Sequence, residues 1–153
     1  MGTRGTYGFK KDGKYKVAYN HYDSYPDELG EKVLMYIKTR DIMDLHNIFN
    51  EIRLVNDYDK VVINDIDKYR EFSDYRVNGG KLDSWYCLLR NMQGDLEAHE
   101  RAEIMLDGVD SFNEEEYDYL IDLDDENFVI FSHGNHVVSF PLDQLPKTLK
   151  GNY

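Results

Sequence analysis

The sequence predicts an α+β fold, an antiparallel sheet of about five strands with helices packed on one face. Two patterns carry that expectation: apolar residues alternate with polar ones at both ends of the chain, and between the ends they recur at helical spacing. Length supplies a third observation. At 153 residues the chain is the size of a single domain, 1–153, with one core.

The first strands form a hairpin. In Thr3 to Lys10, Tyr7 and Phe9 alternate with Arg4, Thr6 and Lys10, and in Lys14 to Asn20, Tyr15, Val17 and Tyr19 alternate with Lys14 and Lys16. A shared apolar face needs Phe9 opposite Tyr15 and Tyr7 opposite Val17. That register leaves a three-residue loop, Lys11-Asp12-Gly13, with Gly13 left-handed. It predicts one aromatic face and an opposite face bearing Arg4, Lys10, Lys14 and Lys16.

Helices follow. Ser24, with Pro26 in the first turn and Asp27 three residues on, marks a capped start, and Leu29, Val33, Tyr36 and Ile37 form the stripe. Ile42, Leu45, Phe49 and Ile52 predict a second helix ending near Val55. Asn64 caps a short third helix running through Ile66 and Tyr69 toward Phe72, and Trp85, Leu88, Leu89 and Met92 mark a fourth from near Asp83 to Gly94. A fifth runs from Asp95 to Val109, with Ala98, Ala102, Met105 and Val109 on one side and Glu97, Glu100, Glu103 and Asp107 opposite.

The C-terminal third predicts a meander. Tyr119, Ile121 and Leu123 alternate with Asp118, Asp122 and Asp124. A Gly134-Asn135 turn brings Val129 and Phe131 onto the face of Val138 and Phe140, and the preceding loop is Asp125-Glu126-Asn127 with Asn127 left-handed. A lone hairpin is marginal in water, so the N-terminal hairpin is expected to join this meander.

Charge is the strongest functional signal. Fourteen of the thirty acidic residues fall between Asp95 and Glu126, where Arg101 is the only Lys or Arg, so this stretch carries −13 and the rest of the chain about +1. Asp95, Glu97, Glu100, Glu103, Asp107, Asp110, Glu114, Glu115, Glu116, Asp118, Asp122 and Asp124 would form one continuous negative surface. Such a surface repels nucleic acid and fits a partner with a basic surface, as an imitation of a phosphate backbone would. The plainer alternative is a solvated face. Calcium at Asp122 to Glu126 lacks the spacing and the glycine of an EF-hand loop.

Other clusters are smaller. Tyr19 to Pro26 concentrates polar side chains where a strand enters a helix, and a hydrolytic site there would draw on Asn20, His21 and Asp23. His21, Asp23 and Ser24 lie too close together for a nucleophilic triad, and capping is the structural alternative. The expected register makes His133 and His136 cross-strand partners, a possible metal pair if His21 or Asp23 meets them. No cofactor is expected. A single cysteine, Cys87, excludes an internal disulfide, points to a reducing compartment and reads as a small buried apolar residue.

No apolar run reaches the ~18 residues of a membrane span, and the N-terminus lacks the apolar core of a secretion signal, so a cytoplasmic protein that does not enter membranes is expected. The opening Met1-Gly2-Thr3-Arg4-Gly5-Thr6 fits the myristoylation pattern. The sequence carries no signature of an oligomeric state.

Thr3-Arg4-Gly5 followed by Tyr7-Gly8-Phe9, then Tyr19-Asn20-His21, Asp23-Ser24-Tyr25-Pro26, Ser84-Trp85-Tyr86-Cys87-Leu88-Leu89-Arg90 and Gln93-Gly94-Asp95-Leu96, resembles a group of small phage and prophage proteins of unassigned activity. The resemblance runs through Tyr117 to Asp124. It implies a phage-derived origin, action in the host cytoplasm and, by analogy, inhibition of a host defence, as anti-CRISPR proteins do. Thr3 to Asp23 also resembles the opening of N-terminal nucleophile hydrolases of the choloylglycine hydrolase type. That likeness implies a nucleophile exposed by Met removal. Gly2 stands in that place here, and Thr3 would serve only if Gly2 were removed as well.

Overall fold

The computed structural model describes residues 2–153, so Met1, with which the myristoylation pattern begins, lies outside the described residues. Seven strands and five α-helices are found among the described residues. The main sheet contains β1 (Gly5–Lys11), β2 (Lys14–Asn20), β5 (Tyr117–Asp122), β6 (Asn127–Ser132) and β7 (Asn135–Pro141), in the order β2-β1-β5-β6-β7. Hairpin and meander therefore join in one five-stranded sheet within an α+β fold, as expected. Their seam, β1 against β5, is parallel, and every other pairing within this sheet is antiparallel.

The β1–β2 register differs by one residue from the expected one. Lys11 pairs with Lys14, Phe9 with Lys16 and Tyr7 with Ala18, around a two-residue Asp12-Gly13 turn with φ of 53° and 72°. A distant residue stabilises that turn. Asp124 accepts hydrogen bonds from the amides of Asp12 (2.6 Å) and Gly13 (3.0 Å), which also hold its carboxyl below the usual range. The shift puts Lys16 on the core side. There its Nζ donates to the carbonyls of Phe49 (2.5 Å) and Ile52 (2.6 Å), at the C-terminal end of α2 (Ile42–Glu51). Glycine is required at Gly8, where φ is 151° and a Cβ would stand 2.2 Å from the Lys16 carbonyl oxygen.

The meander also departs from the expected turns. Left-handed Glu126 (φ 55°) ends the β5–β6 turn while Asn127 pairs with Asp122, and the β6–β7 turn is His133-Gly134, not Gly134-Asn135. A bulge beside Val137 then restores Val138 opposite Ile130 and Phe140 opposite Phe128. Val129 and Phe131 face the other side. One sheet face, with Tyr7, Phe9, Tyr119, Ile121, Phe128 and Ile130 at 0% exposure, packs on α2 and α1 (Glu31–Lys38). Each such side chain contributes about 1.5–3 kcal/mol by leaving water. The opposite face holds a smaller cluster, Val17, Leu120 and Val129, under Tyr15, Phe112 and Phe131.

Several helix expectations are corrected. The first α-helix is not capped by Ser24: Tyr25 precedes a π-helical turn at Pro26–Gly30, and the Ser24 hydroxyl accepts from Asn20 instead. The second helix ends at Glu51, because Arg53–Val55 forms β3. The fifth, α5 (Leu96–Ala102), stops where Glu103 turns left-handed at φ 55°, and Ile104–Leu106 continues as β4, parallel to β3. Between them lie α3 (Ile63–Tyr69), which follows Val62 rather than an Asn64 cap, and α4 (Trp85–Leu88), capped by Ser84. Trp85, Leu88, Met92, Val55 and Ile104 form a second cluster of buried side chains.

Candidate functional site

The acidic stretch is divided by the fold. Asp118 is 0% exposed: its carboxylate accepts from the Thr6 hydroxyl (2.6 Å) and the Asn113 amide (3.2 Å), and burial pushes its pKa up. Asp122, also buried, accepts from the amides of Asp124 and Asp125. Neither faces outward as the alternation predicted. Glu114 to Glu116 and Asp124 to Glu126 therefore sit at opposite ends of β5, about 20 Å apart for six residues of strand.

The expected helical arc of carboxylates breaks as well. Glu103 caps α5 and Asp107 lies beyond β4, where its Oδ1 accepts from the Val109 amide (2.9 Å). Glu100 is occupied, since Arg40 Nε donates to it at 2.6 Å and the Tyr36 hydroxyl at 2.7 Å. Burial raises its carboxyl pKa, but these two hydrogen bonds pull harder, and the net shift is downward.

The acids that do converge come from two separate segments. Asp23, Asp27, Glu28 and Glu31 line one bank of a groove of about 890 Å³, and Asp95 and Glu97 line the other, against three cations, Lys32, Arg40 and Lys150. The first bank is held from three sides. The Ser24 amide donates to the Thr3 hydroxyl (2.8 Å), the Asn20 side-chain amide donates to the Ser24 hydroxyl (2.9 Å), and the Tyr119 hydroxyl donates to the Ser24 carbonyl (2.7 Å). The second bank is fixed by the Gly94 amide, which donates to the Tyr7 hydroxyl (2.8 Å), and by Asp95, which caps α5 through the Ala98 amide (3.1 Å).

Within the groove the carboxylates differ. Glu31 is engaged by the Thr148 hydroxyl (3.0 Å) and the Leu149 amide (2.8 Å). Asp27 and Glu97 are exposed and make no hydrogen bond among the described residues. Glu28 is the informative one. Its Oε2 is enclosed and meets no hydrogen-bond donor among the described residues.

The remaining candidates are dispersed. Thr3, buried to 2%, spends its hydroxyl on the Ser24 amide, and Asn20 is tied to Ser24 and the Tyr22 carbonyl (2.5 Å). His21 Nδ1 meets the Tyr19 hydroxyl (2.8 Å), burial holds the ring's pKa down, and left-handed Asp23 (φ 54°) opens onto the groove. These four brace a chain reversal and do not converge on a reacting atom. His133 and His136 are not partners either. His133 sits in the turn, while His136 pairs with Phe131 and bonds the Ser139 hydroxyl (2.7 Å). Among the described residues no three His, Cys, Asp or Glu side chains are grouped to hold a metal, and no helix is long and apolar enough to cross a membrane. Cys87 is buried, as expected.

The site therefore belongs to a small α+β protein with an acidic groove at the junction of its first helix and the turn before α5. Comparison with protein-family models, curated proteins and solved structures finds no match to the chain. Sequence reasoning missed the bank formed by Asp23, Asp27, Glu28 and Glu31. Its signal was four carboxylates within nine residues, interrupted by no Lys or Arg.

Proposed function

We propose that this chain is a binding protein whose acidic groove takes a Lys- or Arg-bearing segment from the nucleic-acid-binding surface of a partner, and so inhibits a nucleic-acid-handling enzyme. The observation that carries this reading is Glu28 Oε2, an enclosed carboxylate oxygen lacking a donor among the described residues, in a groove that exposed Asp27 and Glu97 also line. A guanidinium or ammonium would supply that donor in a charge-assisted hydrogen bond. The net charge of −12 adds long-range attraction toward a basic surface. The resemblance to small phage proteins supports a host enzyme as the target, in the host cytoplasm.

The test is capture from host lysate, with the wild-type chain and an Asp27→Lys/Glu97→Lys variant as baits. Both substituted positions are exposed, so the fold is retained. Wild type is expected to retain nucleic-acid-binding proteins that are released by added nucleic acid and by raising salt from about 50 to about 200 mM. The variant is expected to lose them. Equal capture by the two baits, with the variant's fold confirmed, overturns the reading.

A further inference from the structure

A second cavity, which has only Gln93 in common with the lining of the acidic groove, lies where the segment after β4 crosses the edge strand β2. It encloses about 200 Å³, a little above the ~150 Å³ that accommodates a benzene-sized guest. Gly108 makes the crossing possible. Its amide donates to the Val17 carbonyl (2.7 Å), and a Cβ there would stand 2.5 Å from the Tyr19 nitrogen.

Two of the lining side chains, Tyr7 and His99, have their polar needs met internally. Tyr7 Oη accepts from the Gly94 amide and pairs with His99 Nε2 at 2.7 Å, while His99 Nδ1 donates to the Ile104 carbonyl (2.9 Å). The walls are Tyr19, Tyr86 and Leu89. The lining also carries two carboxylates, Asp107, whose Oδ1 accepts from the Val109 amide, and Asp110, and among the described residues no Lys or Arg lines the cavity. Asp110 is exposed and makes no hydrogen bond among the described residues.

We infer that this cavity binds a small organic cation, an ammonium carrying methyl groups or one aromatic ring, with its apolar part on the tyrosine faces and its charge toward Asp107 and Asp110. Aromatic faces attract cations through the ring quadrupole, and they do so more strongly where water is excluded. The carboxylates select charge, and the volume restricts size. The site shares Gln93 and the Gly94–Tyr7 hydrogen bond with the acidic groove, but its carboxylates, Asp107 and Asp110, are not those of the groove, and nothing in it depends on a protein partner.

The experiment is a backbone-amide NMR titration of the full chain with choline and phenethylamine, beside 3,3-dimethylbutan-1-ol, the neutral isostere of choline. The cations are expected to shift the amides of Tyr19, Tyr86, Leu89 and Gly108, with dissociation constants near or below about 1 mM. Asp110→Asn is expected to weaken them about tenfold. Ser111→Trp, which fills the mouth, is expected to abolish the shifts while leaving the groove amides of Asp27 and Glu97 unchanged. Equal binding of the neutral isostere overturns the charge assignment. Absence of shifts at the cavity amides, or shifts spread evenly over the acidic surface, overturns the site.

Discussion

Tyr7 Oη and His99 Nε2 lie 2.7 Å apart in the interior, joining the centre of β1 to a helix ninety-two residues further along the chain. Burial holds the His99 pKa down to about 4, against the pull of the Ile104 carbonyl, so the ring is neutral and carries its proton on Nδ1. Burial likewise pushes the Tyr7 hydroxyl well above its ordinary value.

His99 makes stability depend on pH with a definite sign. The unfolded chain takes up this proton near pH 6.5 and the folded chain only near 4, so in that window the unfolded state binds more protons. Its contribution is full above pH 6.5 and is lost as pH falls through the window, by about 3 kcal/mol. Urea denaturation at steps between pH 7 and pH 4 is expected to show this loss in wild type and a flatter profile in His99→Gln. Parallel profiles would remove His99 as the cause.

Lys16 and Lys14 are neighbours with opposite roles. Lys16 closes the end of α2 through two carbonyls and lies 4.5 Å from the centre of the Phe49 ring, whereas Lys14 is exposed. Lys16→Met is expected to cost about 1–2 kcal/mol, from lost charge-assisted bonds and the helix terminus. Lys14→Met should stay within about 0.5 kcal/mol. Thermal or urea unfolding of the two variants checks the contrast, and equal effects would refute it.

Acidic residues divide in the same manner. Asp118→Lys places an unpaired charge in the sheet interior and is expected to cost about 3–5 kcal/mol, with Thr6 losing its acceptor. Glu100→Lys breaks the ties to Arg40 and Tyr36 and is expected to cost about 1–3 kcal/mol. Glu97→Lys and Glu114→Lys, at exposed positions, should remain within about 0.5 kcal/mol. Circular dichroism melts of the four variants measure the ranking. Similar costs for all four would return Asp118 to the surface.

Periodicity by itself determined the five strands of the main sheet and the presence of the helices, but not the short strands Arg53–Val55 and Ile104–Leu106: Tyr7 and Phe9, Tyr119 and Ile121 alternate because a strand's side chains alternate, and Val33, Tyr36 and Ile37 recur because a helix's do. Local pattern also placed Cys87 and Trp85 in the interior. Tertiary structure alone decided the register of the first hairpin, since Asp124, over a hundred residues away, binds the Asp12-Gly13 turn and α2 draws Lys16 inward. It decided where the second and fifth helices stop, because Arg53–Val55 and Ile104–Leu106 find each other as strands, a gain that neither segment can make alone. It also decided the candidate site. Charge counted along the chain pointed to Asp95 through Glu126, but a carboxylate's place depends on which face of its element meets the core. Alternation cannot distinguish a water-facing face from one covered by Phe112 and Phe131, so Asp118 and Asp122 went inward. Asp27, Glu28 and Glu97 met across a groove because Thr3, Asn20 and Tyr119 hold one bank while Tyr7 holds the other.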